Sequence, residues 1–369
     1  MSLHVVLAGG GTAGHVEPAL AVADALRRDD PSVQVTALGT ERGLETRLVP
    51  ARGYELALIP PVPLPRRLSA DLLTVPARLR SAVAACRDVL RRTRADALVG
   101  FGGYVALPAY LAARQAGVPV VLHEANAKPG LANRVGARLT THVAAATADI
   151  RLPHARHVGI PLRRSIATLD RSASRQQGRE LFGLDPDLPT LLVFGGSQGA
   201  RRLNQTMGAA AADVLATGAQ VLHASGTTQQ VPLPATLTAE QRSRYHVVPY
   251  VDRMDLAYAA ADLAVSRAGA MTCAELAAVG LPSVYVPFPV GNGEQRFNAL
   301  PTVRAGGGLL VADEEFTPDW AARTLPDLLA DPHRLARMSE AAAGLGRRDA
   351  DERLVAMVHE AVEERRRSR

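Results

Sequence analysis

Three side chains stand where their types and spacing could do chemistry: His15, Glu275 and Gln295. His15 ends the run Gly9-Gly10-Gly11-Thr12-Ala13-Gly14-His15, which follows a short apolar stretch and precedes a helical pattern. At a helix N-terminus the dipole disfavours imidazolium, and a neutral imidazole can take a proton from an alcohol. The competing reading is a ring that only bonds backbone at the turn. Glu275 falls a little over one turn into a helix that follows Ser266-Arg267-Ala268-Gly269. A carboxylate only accepts, so it can hold both hydroxyls of a ribose diol. Its alternative role is a helix-favouring Glu welcomed by the dipole. The glycines before it and the polar Gly293-Glu294-Gln295 loop after the next strand favour a nucleotide-sugar site.

The elements that must position these groups read as strand, glycine turn, helix. Residues 4–8 form a strand, and a helix is expected over about 18–28 with Pro18 in its first turn. The first turn contains Gly9-x-Gly11-x-x-Gly14, a dinucleotide fingerprint, but the second strand (33–38) ends in Gly39-Thr40 with Glu41 just beyond, so the fingerprint is half met. Residues 97–100 lead into Phe101-Gly102-Gly103-Tyr104 and a helix over 108–116. The strand 118–122 ends in His123-Glu124-Ala125-Asn126, polar residues expected to face a ligand crevice. Another strand spans 143–146, and a polar linker with a short helix fills about 164–189. Then strand 190–194 and Gly195-Gly196-Ser197-Gln198-Gly199 repeat the opening of the chain. Strands at 221–225 and 245–248 follow, then a strand ending near Val265, a helix stopped by Gly280-Leu281-Pro282, and a strand over 283–288. Gly306-Gly307-Gly308 turns into one more strand. The last helix, about 351–363, ends in Arg365-Arg366-Arg367, a solvated, frayed terminus. The fold class is α/β, with two Rossmann-like doubly wound parallel-sheet halves and a ligand cleft between them.

Residues 60–94 differ in character. A proline-rich entry leads to Leu68, Leu72, Val75, Leu79, Val83, Cys86 and Leu90 at helical spacing, with Arg66, Arg67, Arg78, Arg80, Arg87, Arg91 and Arg92 around them. Such a segment packs its stripe on a sheet, and can also rest on an anionic bilayer, each near-surface Arg contributing roughly 1 kcal/mol. Asp185-Pro186-Asp187 lies in a proline-containing loop and reads as a turn, not a metal–diphosphate motif. No His/Asp/Glu group has a metal-ligand spacing, so no metal is expected.

The chain has 369 residues, 47% of them hydrophobic, enough for two cores. The formal charge of +6 rests on arginine, Lys128 being the sole lysine, and no basic cluster interleaves with aromatics, which disfavours nucleic acid. Cys86 and Cys273 stand far apart, as in a reducing compartment. The N-terminus lacks a basic n-region, and Pro282, Pro287 and Pro289 interrupt the longest uncharged stretch, so neither a signal peptide nor a transmembrane span is expected.

The motifs as a set resemble the MurG family, the family 28 glycosyltransferases of peptidoglycan assembly: GGGTAGHVEPALA, FGGYVALPA, HEANAKPGLANR, VGIPLR, GGSQGARRLNQ, AGAMTCAELAAVGLP and NGEQRFNALP. The resemblance runs from Gly9 to about Gly308. It implies the GT-B fold, with an N-terminal acceptor domain over 1–162, a C-terminal UDP-sugar domain over 163–344, and a terminal helix (about 345–369) returning to the first. It implies inverting transfer of N-acetylglucosamine from UDP-N-acetylglucosamine to the muramyl 4-hydroxyl of lipid I (undecaprenyl-pyrophosphoryl-MurNAc-pentapeptide). No cofactor or metal would be needed, and the protein would be peripheral at the cytoplasmic membrane face. The resemblance gives Thr12, Ala13 and Gly14 the N-terminal side of the cleft with His15 as base. Asn126 would reach the donor sugar, and Arg163 and Ser197 would face the diphosphate. Val251 would offer backbone to the uracil; Ala270 and Met271 supply N–H groups, Thr272 assists, Glu275 takes the ribose and Gln295 the sugar hydroxyls. Gly10, Gly11, Gly102, Gly103 and Tyr104 would hold the acceptor diphosphate. Many members carry Gln at the positions of Ala125 and Glu294, and an ionised Glu cannot donate. Two other functions fit parts of the sequence: a paralogous GT-B enzyme acting on a natural product or another polyprenyl phosphate, and a nicotinamide-dependent oxidoreductase resting on the first loop alone.

Overall fold

The computed structural model describes residues 2–62, 74–196, 198–290 and 293–368. The chain divides into two compact units, Met1–Arg163 with Arg348–Arg369, and Arg164–Arg347. Unit 1 contains β1 (His4–Gly9), α1 (Ala13–Asp29), β2 (Gln34–Gly39), α2 (Glu45–Ala51), β3 (Glu55–Leu58), α3 (Val75–Arg92), β4 (Ala97–Gly102), α4 (Ala106–Ala116), β5 (Val120–Glu124), α5 (Leu131–Gly136), β6 (His142–Ala145) and β7 (Ala155–His157). Unit 2 contains α6 (Arg164–Ala167), α7 (Arg171–Leu181), β8 (Thr190–Phe194), α8 (Arg201–Ala209), α9 (Ala211–Ala216), β9 (Gln220–Ala224), α10 (Ala239–Ser243), β10 (Tyr245–Val248), α11 (Met254–Ala260), β11 (Leu263–Ser266), α12 (Ala270–Val279), β12 (Ser283–Tyr285), α13 (Glu294–Arg304), β13 (Gly308–Leu310), α14 (Pro318–Leu329) and α15 (Pro332–Ala343). The last helix, α16 (Ala350–Arg367), belongs to unit 1.

Each unit is built on one parallel sheet, ordered β3-β2-β1-β4-β5-β6-β7 and β10-β9-β8-β11-β12-β13. Successive strand residues point to opposite faces, and in β1 Val5 and Leu7 join one apolar cluster while Val6 and Ala8 join another. Both faces of the sheet are therefore covered, as a parallel sheet requires. The strand order reverses between β1 and β4, and again between β8 and β11. The glycine turns after these strands sit at the carboxyl ends of the two switch points, where doubly wound sheets bind ligands.

Helix α3 buries Ala82, Val83, Cys86, Val89 and Leu90, so the apolar stripe faces the sheet, while Arg78, Arg80, Arg91 and Arg92 are exposed. Arg66, Arg67, Leu68 and Leu72 lie outside the described residues. Helix α16 packs Leu354, Val358 and Ala361 into the cluster of Leu20, Ala23 and Val99. Arg28–Asp351 (2.5 Å), His359–Asp29 (2.9 Å) and Arg156–Glu360 (2.6 Å) pin its polar side.

Several elements differ from the sequence expectation. Helix α1 starts at Ala13, placing Pro18 inside it rather than in its first turn. Pro18 has no N–H for the Gly14 carbonyl, which the extended Thr12 before the helix does not change. The C-terminus does not fray at Arg365: α16 continues to Arg367, and Arg365 donates to the Ala95 and Asp96 carbonyls at 3.4 and 3.3 Å. Strand β12 ends at Tyr285, because Arg267 takes the Val286 and Pro287 carbonyls. The edge strands β3 and β7 are short and partly exposed, so neither shows the buried apolar run that marks the central strands. Asp187 N–H donates to Asp185 Oδ1 at 2.8 Å, which makes the D-x-D segment a turn.

Candidate active site

In unit 1 the first glycine loop lifts off β1 and enters α1 at its third residue, His15. Gly11 has φ +92°, and a Cβ there would stand 2.7 Å from the Tyr104 ring, so the loop needs glycine twice over. Gly102 and Gly103, both with positive φ, bring the second loop against the His15 ring: a Cβ at Gly102 would lie 3.4 Å from Nε2, and one at Gly103 3.4 Å from Nδ1. His15 Nδ1 is 3.1 Å from Thr12 Oγ1, and the ring also bonds the Gly10 carbonyl. Burial lowers its pKa below the usual value, with the Gly10 bond opposing the shift. The two readings of this histidine coexist: the ring bonds the turn through one nitrogen and is neutral near pH 7.

Two carboxylates shape these loops from beneath. Glu45, fully buried, accepts Gly11 N–H at 3.0 Å, Thr40 N–H at 2.9 Å and Thr40 Oγ1 at 3.2 Å. The acid that turns inward after β2 is thus Glu45, while Glu41 is exposed. Gly11 N–H, expected to meet an acceptor phosphate, is already engaged. Tyr104 OH lies 3.4 Å from Thr40 Oγ1, which joins the second glycine loop to the same group. Glu124, also buried, accepts Asn126 N–H, Gly130 N–H and Asn133 Nδ2 at 2.9, 3.0 and 3.0 Å, and bonds the Asn126 side chain. Burial raises its pKa and these bonds lower it. His123 is buried too, its Nε2 2.7 Å from the Gly159 carbonyl, and burial depresses its pKa to about 4. Neither His123 nor Glu124 projects outward as expected. They spend their polar atoms building the loop that carries Asn126. Ala125 is buried beside it, and Arg163, partly buried, closes this stretch of unit 1.

In unit 2 Gly269 N-caps α12 in an extended conformation without a side-chain bond. No protein side chain caps Ala270, Met271 or Thr272, all partly exposed in the first turn. Such uncapped N–H groups suit a phosphate oxygen. Glu275 is buried and accepts Tyr258 OH at 2.8 Å, a partner the sequence did not suggest. Gln295 Oε1 accepts Phe288 N–H at 3.0 Å and Ala268 N–H at 3.2 Å, so its amide NH₂ is the end left to address a ligand. Val251 is buried after β10. Glu294 opens α13, an acid in the first turn. Ser197 lies outside the described residues; in its loop Gly199 N–H closes on the Gly196 carbonyl at 2.9 Å. A buried chain links Asn204 Oδ1, His223 and Tyr245 OH at 3.0 and 2.9 Å, and Asn204 Nδ2 holds the Ser225 carbonyl. Burial depresses His223 to about 3.

Among the described residues, His142, Glu360 and Glu364 come within 4.8 Å of one another, a grouping assembled from distant segments that sequence spacing could not reveal. Arg156 grips Glu360 with both arms, at 2.6 and 2.8 Å. His142 opens β6, at the end of the sheet opposite the glycine turns, so this trio is no part of the site.

Two parallel Rossmann-like units, each with glycine turns at its switch point, and a neutral histidine on one of them define a glycosyltransferase of the GT-B type. Residues 5–145 match the glycosyltransferase family 28 N-terminal domain and residues 190–354 its C-terminal domain. The chain is 63% identical over 365 residues to the Streptomyces avermitilis UDP-N-acetylglucosamine–N-acetylmuramyl-(pentapeptide) pyrophosphoryl-undecaprenol N-acetylglucosamine transferase, covering 99% of this chain and all of the relative. Among solved structures, Acinetobacter baumannii MurG superposes with a TM-score of 0.76 at 28% identity, over 97% of this chain and 99% of that one. The calicheamicin glycosyltransferase CalG4 shares the fold at 17% identity, with a TM-score of 0.66 over 98% of this chain and 99% of its own. The chain belongs to glycosyltransferase family 28.

Proposed function

We infer that this chain transfers N-acetylglucosamine from UDP-N-acetylglucosamine to the 4-hydroxyl of the MurNAc unit of lipid I, forming lipid II for peptidoglycan. The observation that carries this reading is 63% identity over the whole chain to a transferase named for that reaction. An acceptor from natural-product chemistry is not favoured, since the likeness to such an enzyme is one of fold at 17% identity. The oxidoreductase reading leaves α12 and the second pair of glycine turns without a purpose.

The chemistry is a single displacement with inversion. The acceptor oxygen bonds to C1 of the sugar, its proton passes to His15, and the C1–O bond to the diphosphate breaks with its electron pair leaving on UDP. A neutral imidazole is the form that can take this proton. Thr12, Ala13 and Gly14 line the sugar beside it, and Asn126 reaches the donor sugar once released from Glu124. Arg163, Ser197 and the first-turn N–H groups of Ala270 and Met271, with Thr272, face the diphosphate. Val251 meets the uracil, Glu275 the ribose and the Gln295 amide a sugar hydroxyl. Gly10, Gly102, Gly103 and Tyr104 receive the acceptor diphosphate, with Gly11 shaping the loop rather than donating. The exposed arginines of α3 rest on anionic lipid at the cytoplasmic membrane face. No described helix is long and apolar enough to cross a membrane. No step above calls on a metal or cofactor.

The test is UDP release from UDP-N-acetylglucosamine with and without a lipid I analogue, with UDP-glucose and UDP-N-acetylgalactosamine alongside. Release that depends on the acceptor and on N-acetylglucosamine is expected. UDP binding without response to lipid I would overturn the acceptor assignment.

A further inference from the structure

The Gly10 carbonyl and the Gly11 N–H are the two ends of one peptide group, and both are engaged. The N–H donates to Glu45 Oε2 at 3.0 Å, and the carbonyl accepts from the His15 ring. The ring nitrogen on that side is Nδ1: a Cβ at Gly103 would stand 2.8 Å from Gly10 O and 3.4 Å from His15 Nδ1. We propose that Glu45 is a positioning residue for His15, acting through the Gly10–Gly11 amide. This deepens the reading above and rests on His15 being the base.

A carbonyl can only accept, so the nitrogen it meets must carry the proton. Nδ1 is then protonated and the lone pair falls on Nε2, the nitrogen beside Gly102. Thr12 Oγ1, 3.1 Å from Nδ1, shares that proton as a second acceptor. The carboxylate at the other end of the amide polarises it, because hydrogen bonds in series strengthen one another. As the acceptor proton arrives at Nε2 the imidazole becomes cationic, and the polarised Gly10 carbonyl stabilises that cation. An orienting carboxylate bonded to a catalytic imidazole does the same job directly; here one peptide group is interposed.

Glu45 suits this role more than that of a plain loop support. It is fully buried, and no cation pairs with it among the described residues. A buried carboxylate without a counter-charge is costly and is kept only where its hydrogen bonds need it. Its other oxygen is held by Thr40 N–H and Oγ1, which fixes the direction of the first.

The experiment compares wild type, Glu45→Gln, His15→Ala and the double variant in the UDP-release assay, with UDP affinity measured separately. Glu45→Gln keeps the shape and removes the charge. It should lower kcat roughly tenfold or more, as loss of an orienting partner does elsewhere, with UDP affinity unchanged. In the His15→Ala background Glu45→Gln should cost nothing further. The acid limb of the kcat profile should move to lower pH in Glu45→Gln; the other titratable groups around the ring, His123 from β5, Glu124 beneath Asn133 and Tyr104 after β4, are the same in both proteins. Multiplying losses in the double variant, or a fall in UDP affinity with kcat, would make Glu45 a structural support and overturn the proposal. If Glu45→Gln does not fold, ¹⁵N-histidine spectra of the wild type decide: the Nδ1–H tautomer of His15 is expected, and Nε2–H overturns the proposal. The spectra need no acceptor, so failure of the lipid I reading and failure of the relay are told apart.

Discussion

Arg267 Nη1 stands 2.5 Å from Asp313 Oδ1, and the two side chains are only 11% and 12% exposed. The same nitrogen takes the Val286 and Pro287 carbonyls, so one guanidinium joins the turn before α12 to the end of β12 and to the loop after β13. Removing one partner of a nearly buried pair strands the other, at roughly 3 kcal/mol for a pair that keeps some solvent. Asp313→Asn should therefore lower the melting temperature by about 5–10 °C and weaken UDP binding as the turn loosens. An unchanged melting temperature would mean the backbone carbonyls alone hold Arg267.

Gln295 separates sugar recognition from loop support. Its Oε1 already serves two backbone N–H groups, so only the NH₂ end can address a sugar hydroxyl. Gln295→Glu keeps both acceptor bonds and removes that donor. It should raise the KM for UDP-N-acetylglucosamine by about 10–100-fold, the effect of losing one ligand hydrogen bond worth about 1–3 kcal/mol. UDP affinity should not change. Equal losses for UDP and the sugar nucleotide would place Gln295 in loop support alone.

The glycine turns and the central strands were legible because they leave local marks. β1, β4, β8 and β11 are apolar runs ending in or near glycine, and burial on both faces forces that composition. β3 and β7 sit at or near sheet edges, where such burial is not demanded. The site was legible in its loops and less so in its supports. His15 and Glu275 could be singled out by position, but Glu45, Tyr258 and Asp313 could not. Which carboxylate turns inward after β2 depends on the chain reversal between Gly39 and Glu45, and the sequence offered Glu41 first. Arg267 meets an acid 46 residues away, a distance no local pattern spans. His123 and Glu124 looked like ligand contacts because they end a parallel strand; their polar atoms instead satisfy the backbone of the next loop.

Glu275 and Tyr258 give a paired test of the ribose assignment. Tyr258 OH donates to Glu275 Oε2 at 2.8 Å, aligning the carboxylate within α12. Glu275→Ala should weaken UDP and UDP-sugar alike by about 1–3 kcal/mol, because the ribose is common to both. Tyr258→Phe leaves the carboxylate in place but less fixed, and should cost UDP binding less than Glu275→Ala does. Calorimetric titration with UDP measures both. Unchanged UDP affinity in Glu275→Ala would remove the ribose contact from the scheme.

The Asn204–His223–Tyr245 chain makes unit 2 sensitive to acid, and the sign can be worked out. His223 has a folded pKa of about 3, against about 6.5 unfolded. Between those values the unfolded chain holds a proton that the folded one lacks, so stability rises with pH across that window and is complete above it. Acidifying from pH 6.5 towards 4 should remove about 1.4 kcal/mol per pH unit through this residue. His123, held at about 4 in unit 1, acts with the same sign. His223→Gln removes one proton's worth of that slope and leaves the His123 contribution. Melting curves of wild type and variant between pH 7 and 4.5 should therefore converge as the pH falls. Parallel curves would show that His223 takes up its proton inside the folded chain, with Asn204 and Tyr245 rearranged to receive it.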